Sequence, residues 1–129
     1  MQRPNYELRV ENLRKKLWDN GCEAFLSVDP MDNAYLTGFF GSTSAVMVTL
    51  GTARLLCDFR YAEQASTLDS GVDVAECTGD LDRRLGEHLR DAGVEHAAFD
   101  PATITLARFE KIEDAFGRPL SPVAGICRT

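Results

Sequence analysis

Apolar positions along the chain switch between a helical and a strand-like spacing, and the switches mark out the elements. Tyr6, Val10, Leu13 and Leu17 recur at steps of four, three and four, which predicts an opening helix. Arg9, Arg14, Lys15 and Lys16 fall off that stripe, Asn5 stands where an N-cap is wanted, and Gly21 stands where a helix ends. Residues 22–28 form a short, mostly apolar run that reads as a strand. Asp29-Pro30 is a capping residue followed by a first-turn proline, predicting a short helix through Leu36. Residues 37–44 are a loop of small residues that holds Gly38, Gly41 and two adjacent phenylalanines. Residues 45–50 and 53–57 read as two strands joined by Gly51-Thr52 in a hairpin. Tyr61, Ala65 and Leu68 mark a helix closed by Gly71, and a strand covers 72–77. Leu81, Leu85, Leu89 and Ala92 stripe a helix stopped by Gly93, and 96–99 is a strand. Asp100-Pro101 opens a turn, Leu106, Phe109, Ile112 and Phe116 stripe a last helix ended by Gly117, and a short strand covers 120–123.

The resulting order, α-β-α-β-β-α-β-α-β-α-β, predicts an α/β fold with helices on both faces of a mixed sheet of five or six strands. The hairpin puts one antiparallel pair into that sheet. At 129 residues and 14.2 kDa, with no repeat or low-complexity linker, the chain is read as a single domain over 1–129. It stops a few residues after its last strand, which suggests a cut rather than a natural end.

Composition narrows the function. Hydrophobic residues make up 44% and charged residues 26%, as in folded soluble domains. The net charge of −6 argues against a nucleic-acid partner, because binding a phosphate backbone needs clustered Lys and Arg. No apolar stretch is long enough to span a membrane, and the N-terminus does not resemble a signal peptide, so the expected compartment is the cytoplasm. Cys22, Cys57, Cys77 and Cys127 are widely spaced and mostly flanked by apolar residues, which favours buried free thiols over disulfides.

Residue types alone reveal no catalytic constellation. Asp29, Asp58 and Asp100 end or follow strands, where carboxylates can hold Mg²⁺, but Asp29 and Asp100 each precede a proline and suit helix or turn initiation. His88 and His96 lack zinc-ligand spacing with the cysteines. The loop Gly38-Phe39-Phe40-Gly41-Ser42-Thr43 has neither the lysine nor the glycine spacing of a phosphate loop. Lys111 falls inside a helix, against a phospho-receiver site, and Glu110, Glu113 and Asp114 read as a solvated face. No Gly-x-Ser-x-Gly elbow is present, and His88 falls in a helix where a surface or half-buried role is expected.

An ordered set of segments rises above this background. It comprises Glu23-Ala24-Phe25-Leu26-Ser27-Val28-Asp29-Pro30, then Asn33-Ala34-Tyr35-Leu36-Thr37-Gly38-Phe39 with Gly41-Ser42, then Cys57-Asp58-Phe59-Arg60-Tyr61 with Glu63-Gln64-Ala65. With Ala98-Phe99-Asp100 and the last helix, this resembles the N-terminal domain of the creatinase, prolidase and Xaa-Pro aminopeptidase family over about residues 5–124. The resemblance implies a ribonuclease H-like topology. It also implies that catalysis belongs to a C-terminal pita-bread domain whose two Asp, one His and two Glu bind two divalent metals (Mn, Co or Zn). That domain is absent from this chain and would begin just beyond Thr129.

On this reading the chain holds no catalytic or metal-ligating residue and no cofactor of its own. It contributes to oligomer assembly, as a dimer, and to the active-site mouth of an Xaa-Pro dipeptidase or aminopeptidase acting on proline-containing peptides. Two alternatives stand beside it: an interaction or chaperone-type module of peptidase-like architecture, and the N-terminal domain of a creatinase-type amidinohydrolase. The residues expected to contact substrate or a neighbouring subunit are Phe40, Ser42, Thr43, Arg60 and Tyr61. Asp29, Pro30, Tyr35, Gly38, Phe39, Gly41 and Asp58 carry the motifs and the local structure. Many relatives have Gly-Ser-x-Gly where this chain has Gly41-Ser42-Thr43-Ser44, which leaves the loop geometry open. In creatinase the matching stretch carries a Phe and an Arg that reach substrate. Phe40 matches the first and Ser42 replaces the second, which favours a peptide over creatine.

Arg60 has two readings at this point, holding a substrate carboxylate or forming an ion pair with a helix-capping Asp58. For the loop, the paired aromatics predict Phe39 as a buried anchor and Phe40 as exposed, with positive φ at one of the glycines.

Overall fold

The computed structural model describes residues 3–128; Met1, Gln2 and Thr129, on which the readings of the two chain ends partly rest, lie outside the described residues. Helices α1 (Tyr6–Asp19), α2 (Pro30–Thr37), α3 (Phe59–Ser66), α4 (Leu81–Asp91) and α5 (Leu106–Phe116) alternate with strands. The strands are β1 (Ala24–Ser27), β2 (Ala45–Thr49), β3 (Ala53–Cys57), β4 (Asp73–Glu76), β5 (Ala97–Phe99) and β6 (Ser121–Pro122). Each helix begins on a side-chain cap. Asn5, Asp29, Asp58, Asp80 and Thr105 accept hydrogen bonds from the amides of Leu8, Asp32, Arg60, Asp82 and Arg108 respectively.

The six strands form one mixed sheet in the order β4-β3-β2-β1-β5-β6. Strand β2 alone runs against its neighbours, pairing antiparallel with both β1 and β3, while β1·β5, β3·β4 and β5·β6 are parallel. The sheet therefore contains two antiparallel pairs where the hairpin alone predicts one, because the short α2 returns the chain antiparallel to β1. With edge strand β4 set aside, the β3-β2-β1-β5-β6 order around a reversed β2 is the ribonuclease H-like arrangement.

The central strands alternate their side chains between two cores. Phe25 and Ala98 join Val10, Leu13, Leu17, Leu36 and Ala65 on the α1–α2–α3 face. Ala24, Leu26, Ala97 and Phe99 join Leu85, Leu89, Ile112 and Phe116 on the α4–α5 face. Both faces are covered, so β1 is buried at every position and reads as a continuous apolar run.

Four local expectations need correction. The hairpin turn is Leu50-Gly51, closed by the Thr49 amide donating to the Thr52 carbonyl at 2.8 Å, so the loop sits one residue earlier than Gly51-Thr52. Pairing of Thr49 with Thr52 through hydroxyls 2.7 Å apart stabilises that register. Leu68 lies beyond the end of α3, and Gly71, at φ +79°, turns the chain into β4 and does not cap the helix. Leu106 is 70% exposed because it occupies the first turn of α5, before the helix reaches the core. Glu113 is half-buried, accepting the Leu120 amide at 2.9 Å where the chain turns toward β6, and is not part of a solvated face. All four cysteines are free and buried.

Candidate functional site

The segment from α2 to β2 is tied together before it presents anything to solvent. Asn33, fully buried in α2, donates through Nδ2 to the carbonyl and the hydroxyl of Ser44, at 3.2 and 3.0 Å. Thr37 donates its hydroxyl to the Asn33 carbonyl at 2.7 Å and accepts the Phe39 amide at 3.1 Å. Gly38 ends α2 at φ +79°, the left-handed conformation that an L side chain resists. These contacts settle the loop geometry that Ser44, in place of a family glycine, left open.

The two phenylalanines then part company. Phe39 is 1% exposed and meets the Tyr61 ring edge-to-face at 5.9 Å, while Phe40 is 80% exposed. A Cβ on Gly41 would collide with the Phe39 ring, so the loop folds tightly back over its own anchor only because that residue is glycine. Ser42 and Thr43 are exposed at the loop tip.

Phe40 lines a groove of about 480 Å³ that also touches Tyr6, Pro30, Met31, Tyr35 and Arg128. Met31 is largely exposed there. Arg9 props the floor: its guanidinium lies 4.2 Å from the Tyr35 ring centroid and donates to the Tyr35 carbonyl at 2.8 Å. The sequence-predicted residues Phe40, Pro30 and Tyr35 therefore converge, whereas Ser42, Thr43, Arg60 and Tyr61 do not line this groove.

Arg128, on the rim, reaches into the protein and donates through Nε to Asp32 Oδ1 at 2.6 Å. Asp32 is 2% exposed, its second carboxylate oxygen has no partner, and burial pushes its pKa up against the pull of Arg128. Asp32, Met31, Arg9 and Arg128 were not singled out from the sequence. Each sits off any motif, and only the fold brings position 128 to within reach of position 32.

Asp58 and Arg60 form a local unit. Asp58 accepts the Arg60 amide at 2.9 Å as the cap of α3, and the Arg60 guanidinium returns to Asp58 Oδ2 at 3.0 and 2.6 Å. The Arg60 hydrogen bond holds the Asp58 carboxyl below its ordinary pKa. The ion-pair reading thus has direct geometric support, and the Arg60 side chain also stays well exposed over the Tyr61 ring.

The three strand-end aspartates, Asp29, Asp58 and Asp100, are each engaged by a backbone amide at a helix or turn start. Among the described residues, the one group of three side chains able to share a metal is Glu23, Glu95 and His96. It falls short of a set of two Asp, one His and two Glu, so the described residues do not fit a two-metal hydrolytic centre. No helix among the described residues is long and apolar enough to cross a membrane.

Comparison with known proteins agrees with this architecture. An Xaa-Pro dipeptidase from Bacillus anthracis superposes with a TM-score of 0.88 at 23% identity, over 95% of this chain and 34% of that one. The N-terminal domain of the cytoplasmic peptidase PepQ from Mycobacterium tuberculosis superposes with a TM-score of 0.86 at 26% identity, over 93% of this chain and 95% of that one. An uncharacterized peptidase of Bacillus subtilis, YqhT, is 26% identical over 102 residues, 79% of this chain and 29% of its own length. The chain thus spans about a third of the full-length peptidases it matches and nearly all of the isolated domain. Residues 9–129 match the creatinase/prolidase N-terminal domain, and the chain belongs to that family.

Proposed function

We propose that this chain is the non-catalytic N-terminal domain of a longer metal-dependent Xaa-Pro peptidase, a dipeptidase or an aminopeptidase. In it the Phe40 loop and the groove beside it contact a neighbouring subunit and border the active-site mouth. The observation that carries the reading is the split between Phe39 and Phe40. A chain that buries one ring completely and leaves its neighbour 80% exposed on a rigidly tied loop is presenting an apolar contact. A prolyl ring or a partner's apolar surface suits it. The peptidase relatives supply the parent reaction. Two divalent ions, Mn, Co or Zn, held by the remaining part of such a protein would supply the activated water, and this domain would supply shape and substrate selection. Free buried thiols throughout fit a reducing, cytoplasmic setting.

The test is Phe40→Ala in the full-length peptidase, with Xaa-Pro hydrolysis and sedimentation measured together. A raised KM, or dissociation of the dimer, is the expected result. Unchanged KM, kcat and assembly would remove the contact role. A full-length protein that lacks the five metal ligands and hydrolyses no Xaa-Pro peptide would point to the interaction-module alternative.

A further inference from the structure

At the opposite end of β1 from the Phe40 loop, the parallel pairing of β1 with β5 (Ala24 beside Ala97) lays the lead-ins of the two strands side by side. The Glu23 and Ala24 amides both donate to the His96 carbonyl, at 2.9 and 3.3 Å. The Glu23 side chain returns the contact: Oε1 accepts the His96 amide at 3.0 Å and Oε2 the Glu95 amide at 3.4 Å. This clamp holds the carboxylate in place while each oxygen, accepting one hydrogen bond, keeps capacity for a further contact. Glu95 and His96 are exposed, and one ligand atom from each of Glu23, Glu95 and His96 lies within 4.8 Å of the other two.

We propose that Glu23, Glu95 and His96 form a surface binding site for a zinc-type divalent cation, which joins the starts of β1 and β5. The donor set selects the metal class. An imidazole nitrogen with two carboxylates suits Zn²⁺ and its borderline neighbours, whereas Mg²⁺ and Ca²⁺ want oxygen ligands throughout. Ligands at about 2.0–2.2 Å from zinc stand roughly 3.3–3.6 Å apart in a tetrahedron, so rotation of the exposed Glu95 and His96 side chains closes the remaining gap while Glu23 stays put. Hydrogen-bonded carboxylates of this kind are the ones that hold their orientation in metal sites. Three protein ligands leave the fourth position to water. The sequence hides the arrangement because Glu23 lies 73 residues from His96 and only the parallel register joins them.

The experiment titrates the purified chain with ZnCl₂ by isothermal calorimetry, with MgCl₂ as the control and His96→Ala and Glu23→Gln as variants. The proposal expects saturable 1:1 zinc binding and a melting temperature that rises with zinc. It expects affinity to fall at least about tenfold in His96→Ala, with magnesium giving no comparable signal. His96 is exposed, so its variant keeps the fold and isolates the ligand even if Glu23→Gln loosens the start of β5. No saturable zinc binding would overturn the proposal. So would binding that survives His96→Ala unchanged, which would place the metal on the cysteines or elsewhere, or magnesium binding as tight as zinc.

Discussion

The two faces of the sheet solve the same burial problem differently, and a pair of aspartates shows how. On the α4–α5 face, buried Asp82 takes a two-pronged contact from Arg108, with Nε within 3.1 Å of both oxygens and Nη2 2.8 Å from Oδ1. On the α1–α2 face, buried Asp32 meets Arg128 through one oxygen and leaves the other without a partner. Asn33 beside it also has a buried oxygen without a partner. The first face is finished, with helices locked by ion pairs and close backbone contact. The second keeps polar groups incompletely satisfied in α2, the helix that lines an apolar groove together with the exposed Phe40. A fold that tolerates this cost on one face and not the other is marking where its surface is used.

The sharpest break in that comparison lies within one dipeptide. Phe39→Ala removes the ring that anchors the loop against Tyr61 and should cost about 3–5 kcal/mol in urea unfolding. Phe40→Ala should change stability by no more than about 0.5 kcal/mol. Equal losses would mean that the loop does not separate anchor from contact.

The finished face should respond next most strongly. A Cβ on Gly86 would stand 2.6 Å from the Ile112 carbonyl oxygen and 2.7 Å from the Ala115 Cβ, so α4 and α5 must separate to admit it. Gly86→Ala is expected to lose about 1–3 kcal/mol, even though alanine favours the helix by about 1 kcal/mol. A stabilised variant would show that the two helices are free to shift.

Acid titration separates the buried and exposed carboxylates. Asp32 has its folded-state pKa raised above the ordinary 3.8, so it takes up a proton on folding in the window just above 3.8. Its contribution therefore makes the protein more stable as pH falls through that window. Asp58 and Asp80 have depressed values, and their contributions are present above 3.8 and lost as pH falls below it. Asp32→Asn should remove the first effect and leave the second, so the variant's melting temperature should decline more steeply between pH 6 and about 3. A parallel decline in both proteins would deny the burial effect.

The smallest effect concerns the thiols. Burial raises the pKa of all four, Cys22, Cys57, Cys77 and Cys127, so a thiol reagent should label none of them quickly until the chain unfolds. Added reductant should leave the melting temperature unchanged.

Much of this fold was legible from local pattern. The stripe Leu85–Leu89, the Asp-Pro cap at 29–30 and the glycine ends are signals written within a few residues, and capping and amphipathic burial act over that same range. The Phe39–Phe40 split was legible too, because two adjacent rings on a turn cannot both face one core. Gly86 was not, since a helical glycine carries no sign of which neighbour approaches it.

What the chain determines by itself is the kind and order of its elements, set by periodicity, caps and turn residues within each segment. Tertiary structure alone decided that β2 would also run against β1, that Arg128 would reach Asp32, and that Glu23 would meet His96. Each of these joins residues far apart in sequence through strand register and chain return. Such contacts depend on where whole elements pack, and no local spacing encodes that.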